Sequence, residues 1–145
     1  MSDARTDRPQ PITLNHFDLA GQLARLRADA PIRAHGRDSL SLVRDPGFDL
    51  VLVALNAGAR MHEHKAPGPI SVIVLDDRVA FTARGQRLEL GPHGLVTLPN
   101  RVLHEVEALE DSAILITIAG PIMHTDPSGL EGEREANARQ SDEQG

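Results

Sequence analysis

Polar and apolar positions change period once along this chain, and the change divides it into two kinds of structure. Over residues 14–28, Leu19, Leu23 and Leu26 recur at i, i+4 and i+7, with Ala20 and Ala24 beside them. This spacing marks one face of an α-helix, and Asn15 or Asp18 stands where a cap is needed. Pro31 is expected to end the helix, because the residue before a proline is pushed towards extended backbone. From residue 39 the period falls to two. Extended segments are predicted at 39–44, 48–55, 70–75, 78–83, 86–90, 94–98, 102–108 and 113–119. The turn chemistry between them is Asp45-Pro46-Gly47, Asn56-Ala57-Gly58, Asp76-Asp77, Arg84-Gly85, Gly91-Pro92 and Glu110-Asp111. In the last segment Ile114, Ile116 and Ile118 alternate with Ala113, Leu115 and Thr117, so both faces are nearly apolar and the strand is expected to be central. Eight or so short strands with close turns predict an all-β barrel or sandwich behind a short N-terminal helix.

The ends break this pattern. Residues 1–12 are polar, contain two prolines and show no periodicity, which predicts a flexible arm. Segment 126–145 holds six acidic residues against two arginines, so 123–145 is expected to be an acidic, disordered tail. That leaves 13–122 as the folded domain, with its helix at 14–28 and its barrel at about 39–119. A chain of 145 residues suits one such domain.

Charge and composition then remove whole classes of function. With 15 basic and 21 acidic residues the net charge is -6, and three Phe are the only aromatics beyond histidine, so neither phosphate attraction nor base stacking is provided for. Nucleic acid is not an expected partner. No apolar run approaches the roughly 18 residues of a membrane span, and the polar start is unlike a secretory signal, which predicts a cytoplasmic protein without a membrane partner. There is no cysteine, so a metal site here must use nitrogen or oxygen ligands. Phosphate loops, serine nucleophile elbows and paired catalytic carboxylates are absent from the sequence.

Candidate chemistry gathers on histidines. His62 and His64 are two apart, and residues two apart on a strand project to one face. A strand returning past them adds His104 as a third nitrogen, which makes His62, His64 and His104 candidate metal ligands. The plainer alternative is a polar pair lining a pocket. Arg60, two residues before His62, would share its face and clamp a substrate carboxylate; equally, it would extend to solvent at the barrel rim. His16, His35, His93 and His124 fall in the helix start, linkers and turns, where surface positions are expected.

The stretch 56–119 resembles a cupin domain, the small double-stranded β-helix or jelly roll. Gly58 precedes His62-Glu63-His64 as in the family's first motif, though after only three residues. Gly94 leads to Pro99-Asn100-Arg101-Val102-Leu103-His104, matching the second motif's spacing from proline to histidine, with Arg101 where the family has glycine. The family's ligand glutamate would fall on Gly68, Pro69 or Ile70, none of them acidic. The resemblance therefore implies the three-histidine variant, holding Zn, Fe, Ni, Cu or Mn through neutral imidazoles. It implies a metal-dependent enzyme on a small molecule, of the dioxygenase or isomerase/lyase class, or else a non-catalytic module that binds a small ligand. Exposed edge strands in such a barrel favour a homodimer.

Overall fold

The computed structural model describes residues 14–64, 66 and 68–120, with the backbone alone described at 30, 31, 33, 63 and 64. The arm expected at 1–12 and the tail expected at 123–145 lie outside these residues. The amphipathic face forms α1 (Leu19–Ala28), which starts later than the predicted 14. Asp18 occupies its N-cap position without a side-chain capping bond. Pro31 does not leave the following chain extended. It sits in the first turn of a second helix, α2 (Ala30–His35), after Asp29 has broken the first. A proline is tolerated there because the first-turn N–H groups have no intrahelical acceptor to lose. Gly36 closes α2 with φ +79°, a left-handed conformation that suits glycine.

Nine strands follow: β1 (Arg37–Arg44), β2 (Phe48–Leu55), β3 (Arg60–His64), β4 (Ile70–Asp76), β5 (Val79–Ala83), β6 (Gln86–Leu90), β7 (Leu95–Leu98), β8 (His104–Ala108) and β9 (Ser112–Ala119). They form a five-stranded sheet in the order β1-β2-β9-β4-β7 and a four-stranded sheet in the order β3-β8-β5-β6. All pairings are antiparallel. Pairs β2 with β9, β3 with β8, β4 with β7 and β5 with β6 are nested, as though one long hairpin with its tip at Arg84-Gly85 were wound around a barrel. This winding is a jelly roll. β9 stands at the middle of the larger sheet, as its two apolar faces require.

Those faces bury different things. Val53, Leu55, Ile70, Val72, Val74, Val79, Phe81, Val106 and Ile114 fill the barrel between the sheets. On the outside of the larger sheet, Leu52, Ala54 and Ala113 pack beneath Leu23, Leu26 and Ile32 of the two helices. Aliphatic burial at about 25 cal/mol per Å² of apolar area thus drives both layers, without help from disulfides. No helix among the described residues is long and apolar enough to cross a membrane.

Candidate functional site

Strand β8 lies between β3 and β5, and its burial alternates. His104, Val106 and Ala108 are buried in the barrel, whereas Glu105 and Glu107 lie towards the outer face. The register fixes the neighbours of each. His104 stands directly across from His64 on one side and Ala83 on the other; Val106 stands across from Met61 and Phe81. Two motif histidines, far apart in the chain, are therefore brought together as Cα partners.

Two polar residues are buried among the described ones, Ser112 and His104. Ser112 is satisfied: the backbone carbonyls of Arg78 and Glu110 both lie within reach of its single hydroxyl hydrogen, and its oxygen accepts from the Arg78 N–H. His104 is 5 % exposed, and its Nδ1 lies 3.0 Å from the Val102 carbonyl oxygen. A carbonyl only accepts, so Nδ1 carries the hydrogen, and Nε2 is the nitrogen of the ring that is not tied to Val102. Phe81 stacks on the same ring, with centroids 5.7 Å apart and planes 9° from parallel. A metal-binding imidazole needs its tautomer and its plane fixed in this manner.

The first motif is less regular than its spacing predicts. Between Met61 and His64 the β3 register slips against β8 by one residue, a bulge. Same-face reasoning does not carry across such a slip, because each one-residue shift exchanges inside for outside. Met61 opposes the buried Val106, while His62 is exposed. The side chains of Glu63 and His64 lie outside the described residues, and among the described ones no group of three His, Asp or Glu is placed to hold a metal ion.

Arg60 differs from its expected role as a substrate clamp. Its guanidinium reaches Glu105 at 2.8 Å and Glu107 at 3.9 Å on the outer face of the sheet, where these carboxylates already engage it. The loop position expected for a ligand glutamate is closed for a different reason: a Cβ at Gly68 would overlap the Ala119 carbonyl oxygen. Arg101, in the place of the family's glycine, takes φ +64°, and its N–H donates to the Ala66 carbonyl. It thereby anchors the turn before β8 on the loop between β3 and β4.

A cleft of about 190 Å³ opens beside this constellation, between the edge strands β6 and β7. Phe81, Ala83 and Leu88 line one wall and Val96 and Leu98 the other, and the polar residues lining it are Arg84, Gln86 and Thr97. Phe81 stacks on His104 and Ala83 is its register partner, so cleft and histidine share a wall. The sequence places Phe81 in an expected strand, Arg84 in a turn and Gln86 at the start of the next strand, and marks none of them as a site residue. The one signal for Arg84 was an arginine where a tight hairpin turn prefers Asn or Asp.

Neither a family model nor a curated protein matches the sequence. Solved structures do match. An RmlC-like cupin from Desulfovibrio desulfuricans superposes with a TM-score of 0.63 at 18% identity, over 76% of this chain and 100% of its own. A cupin superfamily protein from Desulfitobacterium hafniense gives 0.56 at 17% identity, over 58% of this chain and 77% of its own. The fold is a cupin fold. Salicylate 1,2-dioxygenase from Pseudoaminobacter salicylatoxidans also carries a cupin barrel similar to this one, with a TM-score of 0.56 at 19% identity over 61% of this chain and 28% of its own. At such identities the likeness is one of fold, and the chemistry of this chain has to be argued from its own residues.

Proposed function

We propose that this chain binds a divalent transition metal through His62, His64 and His104 and acts on a small molecule as an enzyme of the dioxygenase or isomerase/lyase class. The observation that supports the reading is the cross-strand pairing of His64 with a buried His104 whose Nδ1 is already committed to Val102. In this reading His104 offers Nε2 from within the barrel and His64, its register partner on β3, supplies a second nitrogen. His62, exposed at the bulge, takes the outermost position of the set. Zn, Fe, Ni, Cu and Mn all accept imidazole nitrogen. A bound ion would supply Lewis acidity, and with no carboxylate among its ligands it would keep its full charge for an anionic oxygen donor.

Metal analysis of protein prepared without an affinity tag tests this directly. About one equivalent of a first-row metal is expected in the wild type, with most of it lost in His104→Ala and His64→Ala and a smaller loss in His62→Ala. Unchanged metal content in both His104→Ala and His64→Ala, with circular dichroism showing the fold intact, contradicts it. The composition of the cleft favours a second reading, a non-catalytic binding module, since no acidic side chain among the described residues lines it. Stoichiometric retention of a ligand without turnover or oxygen uptake separates that reading from an enzyme.

A further inference from the structure

We propose that the cleft between β6 and β7 recognises a small monocarboxylic acid, with Arg84 and Gln86 holding the carboxylate and Leu88, Val96 and Leu98 covering its hydrocarbon body. Three independent features converge on Arg84. It lines the cleft. It makes no ion pair among the described residues, whereas Arg87 on β6, and Arg78 in the turn before β5, are both committed to Glu89. And it is held at φ +52° beside Gly85 at +76°, both in the left-handed region as a mirror-image two-residue hairpin turn demands.

Asn, Asp or Gly satisfies that turn at lower conformational cost than arginine. A residue that is locally costly and brings to an apolar cleft a cation with no ion pair among the described residues fits a ligand contact better than a turn former. The alternation of β6 supports the placement. Val79, Phe81 and Ala83 pair with Leu90, Leu88 and Gln86 on the inner face, which leaves Arg87 and Glu89 outside.

The chemistry of the lining sets the ligand class. One guanidinium as the single charged group among the cleft-lining residues, with the neutral Gln86 and Thr97, matches a single carboxylate, since arginine binds its two oxygens through paired N–H groups and the neutral residues offer further donors. A phosphate dianion would leave charge uncompensated, with Arg87 turned to Glu89. The volume, small beside the roughly 300 Å³ at the lower end of ordinary ligand pockets, limits the body to a short chain or a single ring. Because the wall formed by Phe81 and Ala83 is also the wall of His104, the acid would lie next to the proposed metal position. Its identity as substrate rests on the metal-site reading; its binding does not.

The test therefore uses the full chain stripped of metal by a chelator, followed by two-dimensional amide NMR during titration with hexanoate, hexanamide and inorganic phosphate. Hexanoate is expected to shift the amides of Gly85, Gln86 and Thr97 and to bind about tenfold more tightly than hexanamide, the gain of a charge-assisted pair over a neutral one. Phosphate is expected to leave these amides unmoved. Arg84→Asn should abolish the acid preference while raising the melting temperature by about 2–5 °C, since asparagine suits the turn better. A turn-forming role alone would raise stability and leave the preference intact. Equal affinity for acid and amide, an acid preference surviving in Arg84→Asn, a response to phosphate, or hexanoate shifts confined to other residues would each overturn the proposal. Loss of metal binding in the histidine variants leaves this titration unaffected, so the two readings fail separately.

Discussion

At the scale of single residues, two side chains show how local conformation and chemistry trade against each other. Arg101, at the position where the cupin motif has glycine, takes a left-handed conformation that glycine adopts more readily. A side chain at such a φ costs about 1–2 kcal/mol, part of which glycine returns through its larger unfolded-state entropy. Arg101→Gly is expected to stabilise the protein by up to about 1 kcal/mol, read as a higher denaturant midpoint at unchanged slope; a lower midpoint would mean that its side chain contributes contacts of its own. Glu89 shows the electrostatic counterpart. The hydrogen bond donated by Arg87, with the nearby charges of Arg78 and Arg87, holds its carboxyl below the ordinary carboxylate value of 4.5. A depressed carboxyl stabilises the fold above its unfolded value, and that contribution is lost as pH falls through the lower folded one. Glu89→Gln should therefore flatten the stability curve on the acid side and leave its shape above pH 6 unchanged; an altered slope above pH 6 would contradict this assignment. Of the site residues, His104 was legible from its distance to Pro99. Its tie to Val102 and its stacking on Phe81 were not, because both follow from register across strands distant in sequence.

Elements record where periodicity speaks clearly and where it fails. β2, β6 and α1 were legible because apolar positions repeat with one period over five or more residues. β3 was not delimited by its pattern: His-Glu-His offers no apolar alternation, and a one-residue bulge reverses the facing of everything beyond it. α2 was missed because a proline stops a helix in its interior but not in its first turn. The segment after β3 is fixed by contact more than by propensity, since Gly68 lies against the Ala119 carbonyl and Ala119 donates its N–H to Pro69. Gly68→Ala forces that backbone apart and is expected to cost about 2–4 kcal/mol, within the range for overpacking and lost hydrogen bonds. Wild-type stability in this variant would show that the loop can move. On the opposite face of β9, Leu26→Ala removes a buried anchor of α1 and should cost about 2–4 kcal/mol, measured by chemical denaturation. A cost under about 1 kcal/mol would mean that the helix adds little to the fold.

For the whole molecule, nested pairing brings the tip of the long hairpin, Arg84-Gly85, to the same end of the barrel as the first residue of β8, His104. No local pattern encodes this convergence; it follows from closing the jelly roll. The fold class was legible from strand number and turn spacing, whereas the cleft was not, because its walls are the edges of two different sheets. Four edge strands, β1, β7, β3 and β6, end those sheets, and pairing one of them with a second copy is the expected means of covering it. Light scattering should then give twice the chain mass of 15.7 kDa, and a monomer mass at micromolar concentration would contradict a homodimer.

The central claim is that a metal ion sits between β3 and β8. Anomalous diffraction from crystals of metal-loaded protein, collected on both sides of the metal's absorption edge, tests it most directly. The account predicts one peak within about 2.0–2.2 Å of Nε2 of His104, with His64 as a second ligand. A peak remote from His104, or rings of His64 and His104 turned away from a common point, would contradict it.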